Sequence, residues 1–206
     1  MKDLANQCAC LNHLAQLAVR EHMVEESAQM AVRAFDTVWR YQVLVPFLQI
    51  GLVDAVEAAL FALEEGATSV PRSKLMRIVR LGGFKARALS RLYPYMRGPA
   101  QRVTARALRL RKGAAAAEPE FQRAFALLEG GPNKWETGVA YYDAAVALPH
   151  RRAELLARSR EIFQAIGAQA ELRRVERLEE AGSPSLPRPR ATLPASTDRS
   201  AETLRQ

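Results

Sequence analysis

Apolar side chains recur every three or four residues along most of this chain, the spacing that lines one face of an α-helix. Leu4, Cys8, Leu11, Ala15 and Ala18 form a first stripe, and Val24, Ala28, Ala31, Phe35 and Val38 a second. After Pro46 come Leu48, Leu52, Ala55, Ala59 and Ala62, with Gly66 placed as a C-terminal cap. Pro71 suits the first turn of a fourth helix carrying Leu75, Ile78, Gly82, Ala86, Leu89 and Tyr93. Pro94 and Pro99 bracket a short link, and Val103, Ala107 and Leu110 mark a fifth helix. The stretch "KGAAAAEPE" reads as a soft connection, followed by a sixth helix with Phe121, Phe125 and Leu128 that closes at Gly130-Gly131-Pro132. Trp135 to Leu148, Ala153 to Ile166 and Ala170 to Glu180 complete the set. No stretch alternates with period two, so no strand is predicted.

Short turns join these helices, and small residues crowd the faces that must pack. This is how a helix-pair solenoid is written, each pair burying its stripe against its neighbours. Trp135-x2-Gly138-Val139-x2-Tyr142 resembles the first-helix pattern of a tetratricopeptide repeat. Ser159-x3-Phe163 resembles the second-helix pattern, as does Ala31-x3-Phe35 earlier. Val139 stands where Gly or Ala is usual, and Trp135 to Phe163 spans 28 positions where the 34-residue consensus has roughly 20. The expected fold is therefore all-α: a tetratricopeptide-like, right-handed helix-pair solenoid with elongated helices over residues 1–181, ending in a short capping helix.

"GGPNKWETGVAYYDAA" and "RRAELLARSREIFQAIGAQAELRRVERL" together resemble the C-terminal helical-repeat tail of bacterial STAND-type signalling NTPases, the kind linked to regulators, cyclases or kinases. "RLYPYMRGPAQRVTARALRL" is similar to a preceding unit of such tails. The resemblance covers residues 70–181 by sequence and 1–69 by helix pattern alone. It implies a bacterial signalling context and a module that binds other proteins. The NTPase of that family needs a Gly-rich phosphate loop ending in Lys-Ser/Thr, which nothing here matches. The resemblance therefore implies the repeat part without the enzyme, with no catalysis and no cofactor.

Charge changes this picture at one place. Between Arg72 and Lys112 lie 13 Arg or Lys, and from Gly66 to Ala117 there is no Asp or Glu, whereas residues 1–65 carry a net −5. On a helix over 72–92, Arg80, Arg87 and Arg91 fall opposite the apolar stripe, with Phe84 and Arg77 beside them. Arg102, Arg106 and Arg109 share a stripe about 100° from Val103, Ala107 and Leu110. Arg80, Phe84, Arg87, Arg91, Arg102, Arg106 and Arg109 are the expected partner-binding residues if they form one exposed patch. An acidic protein is the favoured partner. Nucleic acid is the alternative, disfavoured because only Phe84 is placed to stack on a base and no nucleic-acid-binding motif accompanies the charge. Because no polar capping repeat precedes the first stripe, the N-terminal helices are also expected to dock on a partner or on a second copy.

Other chemistry is thin. Cys8, Cys10 and His13, with His22, suggest a soft-metal set, but Cys8 and Cys10 point about 200° apart on a helix. A buried Cys8 and a solvated His13 are expected, with no metal. Glu25, Glu26, Asp54, Glu57, Glu64 and Glu65 read as solvated carboxylates, Trp135, Tyr141 and Tyr142 as core. Gly82-Gly83 reads as a close helix contact or a break. With two cysteines, no signal-peptide pattern and no apolar run near the ~20 residues that cross a bilayer, a cytoplasmic location and no membrane contact are expected. Residues 182–206, rich in Pro and Ser/Thr and poor in apolar mass, read as a disordered tail.

Overall fold

A computed structural model describes residues 4–41 and 46–182, with side-chain surroundings for 6–39 and 50–180. The expected tail lies outside the described residues, except for Gly182. Those residues are all-α, with nine helices and no strand. The helices are α1 (Leu4–Arg20), α2 (Val24–Tyr41), α3 (Pro46–Glu65), α4 (Arg72–Leu89), α5 (Arg97–Lys112), α6 (Ala114–Leu128), α7 (Lys134–Ala147), α8 (Arg152–Ala165) and α9 (Gln169–Gly182). Single 3-10 turns, Pro94–Met96 and Pro149–Arg151, lead into α5 and α8. Among these helices none is long and apolar enough to cross a membrane.

The predicted stripes are the buried faces. Cys8, Leu11, Ala15 and Ala18 on α1, and Ala28, Ala31, Phe35 and Val38 on α2, are all buried. The helix α3 is buried on every side from Leu52 to Leu63, apart from half-buried Asp54. An apolar residue at nearly every position is what a helix needs when others surround it. One connection differs from expectation: "KGAAAAEPE" is not a soft link. Gly113, at φ +86°, turns the chain, and α6 starts at once at Ala114 and runs through Pro119. Four alanines in a row are strong helix formers.

Each helix packs against the next in the chain, and α1 also meets α3, α3 meets α5, and α5 meets α7. Close approaches of α4 to α3 and of α7 to α8 depend on the missing Cβ of glycine. A Cβ on Gly82 of α4 would lie 2.7 Å from Val56 of α3, and one on Gly138 of α7 2.5 Å from the Phe163 ring of α8. Ser159 Oγ donates to the Gly138 carbonyl at 2.9 Å. Gly138, Ser159 and Phe163, singled out by the repeat-like spacing, thus meet in one contact.

The apolar interior falls into two clusters. One is built by α1 to α4 and reaches Met96, Ala100 and Val103; the other begins at Ala105 and runs through Phe121, Phe125, Leu148, Leu155 and Phe163 to Val175. The division passes through α5. At the far edge, the C-terminal end of α1 returns to α7 and α9: Arg20 lies over the Trp135 ring at 4.7 Å, with its Nε 3.5 Å from Glu171.

Candidate partner-binding surface

The helix α4 buries Leu75, Ile78, Val79, Gly82 and Ala86 against its neighbours. At 100° per residue the spacing of Arg77, Arg80, Phe84 and Arg87 makes a single stripe on its other side, and all four are exposed. Arg91 follows in the turn after the helix, also exposed. Phe84 keeps 74% of its surface in water and Leu92 72%. None of these four arginines takes part in an ion pair among the described residues, as follows from a local stretch of chain without a carboxylate.

The stripe is held in place from α2. Glu25 accepts hydrogen bonds from the Thr68 and Ser69 amides, at 2.9 and 2.7 Å, and from the Thr68 hydroxyl at 2.9 Å. These bonds from Ser69 and Thr68 hold the Glu25 carboxyl at about 2, below its ordinary value. The turn that leads into α4 is thereby pinned. Lys85 lies over the Trp39 ring at 5.3 Å, so it is half-buried rather than part of the stripe.

Arg102 and Arg106 are not on this surface. The single exposed patch expected from Arg80 to Arg109 does not form, because α5 turns these two arginines inward. Arg102 is wholly buried and Arg106 is 6% exposed. Arg102 donates to Asp143 at 2.7 Å and to Glu57 at 2.8 Å, and its Nε lies 3.3 Å from Glu136. Arg106 donates to Glu64 at 2.6 Å and stands 3.7 and 3.6 Å from Glu57 and Asp143. Arg109, half-exposed at the rim, reaches Glu64 at 3.2 Å. The face of α5 polar enough for water is covered by α3 and α7, which bring carboxylates to it. The expectation of solvated carboxylates fails for the same reason at Glu57 and Glu64, and at Asp54, half-buried beside Gln16 of α1.

Five carboxyl groups (Asp54, Glu57, Glu64, Glu136 and Asp143) face three guanidiniums. Burial alone would raise Glu57, but Arg102 and Arg106 hold it at about 2. Burial would lower Arg102, yet Glu57, Glu136 and Asp143 push it well above the usual arginine value. The two carboxyls in excess are displaced the other way. Burial, with Glu57 beside it, pushes Asp54 up to about 8 although Gln16 donates to it at 2.8 Å; burial likewise raises Glu136. The arrangement is an ionic seam between the two apolar clusters.

A sequence signal for this seam exists. Glu57 interrupts the run "AVEAALFAL", and Asp143 interrupts "AYYDAAVAL". A lone charge in an apolar helix needs a buried partner, and arginines three and four apart on α5 supply it.

The remaining candidates separate as follows. Cys8 is buried and Cys10 exposed, and His13 is exposed, as helix geometry requires. Trp135, Tyr141 and Tyr142 are half-buried and pack against the second cluster, at the edge of the core. Tyr142 lies beneath the Arg174 guanidinium at 4.6 Å, and Trp135 donates to Glu171 at 2.9 Å. Compared with protein-family models, curated proteins and solved structures, the chain matches none of them.

Proposed function

We propose that this chain is a non-catalytic interaction module, a right-handed helix-pair solenoid that serves as the repeat part of a bacterial signalling ATPase or regulator. It docks an acidic segment of a protein partner on α4. The repeat reading is supported by the pairwise packing of successive helices, the next-but-one contacts of α1, α3, α5 and α7, and the Gly138–Ser159–Phe163 contact. The interaction reading rests on one observation: Arg77, Arg80, Arg87 and Arg91, with no ion pair among the described residues, surround an exposed Phe84. Four cations with an apolar knob among them suit an acidic segment that also presents an apolar residue.

The second reading, a nucleic-acid surface, draws on the same cations. Salt separates the two, because each neutralised phosphate releases counterions and steepens the salt dependence. Fluorescence anisotropy with an acidic amphipathic peptide, a single-stranded and a duplex oligonucleotide, at low and physiological salt, provides the test. The peptide should bind at both salts, about tenfold more weakly to Phe84→Ala and not at all to Arg87→Glu/Arg91→Glu. The oligonucleotides should bind only at low salt. Salt-resistant oligonucleotide binding that the double variant abolishes would establish the second reading instead, and no binding of any probe at low salt would refute both.

A further inference from the structure

Where α1 turns into α2, the chain faces α9 across a cavity of ≈ 470 Å³, lined by Arg20, Glu21, His22, Tyr142, Arg174 and Arg177 with Leu178. Arg174 is only 9% exposed, yet it has no ion pair among the described residues. Its guanidinium lies over the Tyr142 ring at 4.6 Å, and its Nε is buried with no hydrogen-bond partner among the described residues. Burying a guanidinium without an anion is costly. The two other arginines buried to this degree do have anions: Arg102 has three carboxylates within 3.3 Å, and Arg106 has three within 3.7 Å.

Arg20 lines the same cavity; its Nε is buried and makes no hydrogen bond, only a long ion pair. Its nearest carboxylate oxygen, Glu171 Oε1 at 3.5 Å, already accepts from Trp135 Nε1 at 2.9 Å. Arg177 adds a third, exposed guanidinium. His22 sits at the rim with its backbone at φ +55° and its ring edge against Phe61. Burial and then the charges of Arg174 and Arg177 lower its pKa, against the smaller pull of Glu65 and Glu21. Three guanidiniums against the single carboxylate of Glu21 make the lining of the cavity positive.

We propose that this cavity is a binding site for a small phosphate-bearing molecule, gripped by Arg20, Arg174 and Arg177. Planar guanidiniums match phosphate oxygens two at a time, and three of them around one opening exceed what a single carboxylate can occupy. The volume lies in the range of small-molecule pockets, while Tyr142 and Leu178 give the non-phosphate part an apolar wall. Bound there, the ligand joins the first helix pair to α9 and ties a small-molecule signal to the shape of the array. The inference does not depend on the α4 stripe.

Isothermal titration of the full chain with pyrophosphate, citrate and sulfate provides the test. Pyrophosphate should bind saturably, one per chain, and outcompete citrate and sulfate. Arg177→Gln, an exposed site whose substitution leaves the fold intact, should weaken it at least tenfold, and so should Arg174→Gln, with helical content checked by circular dichroism. Arg123→Gln on the distant α6, exposed and paired to Glu120, should leave it unchanged. Absence of saturable pyrophosphate binding would overturn the proposal, as would wild-type affinity in Arg177→Gln. Citrate binding as tight as pyrophosphate would overturn the phosphate assignment.

Discussion

Asp54 shows what one residue gains and loses beside a charged seam. Its carboxyl is raised from 3.8 to about 8 by burial and by Glu57, with a lesser push from Glu136 and an opposing pull from Arg102 and Gln16. In the unfolded chain the same group ionises near its ordinary value. Between about pH 4 and about pH 8, unfolding therefore releases a proton that the folded state holds, and stability falls as pH rises through that window. Asp54→Asn keeps an oxygen to accept from Gln16 and removes the ionisation. It should stabilise the protein at pH 7 by on the order of 1–2 kcal/mol, less than the full linkage because the half-buried carboxyl retains some solvent. The gain should shrink towards zero near pH 4. Urea denaturation of both proteins at several pH values measures this, and equal stability at pH 7 would show that Asp54 is ionised in the fold.

Among the elements, the α7–α8 pair is the most sharply determined by sequence. The Phe163 ring fills the space where a Cβ on Gly138 would stand, 2.5 Å away, and Ser159 closes the contact with a hydrogen bond. Gly138→Ala improves helix propensity by roughly 1 kcal/mol but forces the ring or the whole of α8 outward, at a cost of about 1–3 kcal/mol. The net outcome should be a loss of stability, and Phe163→Leu in the same chain should recover part of it. A thermal melt of the single and double variants decides the matter; a Gly138→Ala protein that melts higher than wild type would show that the pair has room to spare.

At the scale of the whole molecule, two apolar clusters are joined through α5. Arg102 and Arg106 touch Glu57 and Glu64 of α3 on one side and Asp143 of α7 on the other, and Arg102 also meets Glu136 there. Replacing Arg102 by Met leaves buried carboxylates unpaired, which should cost about 3–5 kcal/mol. It should also uncouple the two clusters. The chain holds two tryptophans, Trp39 and Trp135, one beside each cluster, so single-tryptophan forms report on them separately. With Arg102 present the two denaturation midpoints should coincide; with Arg102→Met they should part. Coincident midpoints and unchanged stability in that variant would show that α5 does not bind the clusters together.

The helices themselves, their buried stripes and most of their ends were legible in the sequence, because a 3.6-residue period and Pro or Gly punctuation act locally. So was the α4 stripe, whose cations have no acidic neighbour in the chain and whose exposure follows from the same period. The Gly138–Phe163 contact was legible as spacing. The fates of Arg102, Arg106, Glu57 and Arg174 were not. A helical period separates an apolar face from a polar one, but it does not say whether water or another helix will cover the polar face. For α5 that was decided by α3 and α7, from residues some forty positions away on either side, which deliver carboxylates to buried guanidiniums. For Arg174 it was decided by packing over Tyr142 of α7, with no anion beside it among the described residues. Local periodicity sets which residues share a face; only packing between distant helices sets which charges leave water and which of them meet a counterion there.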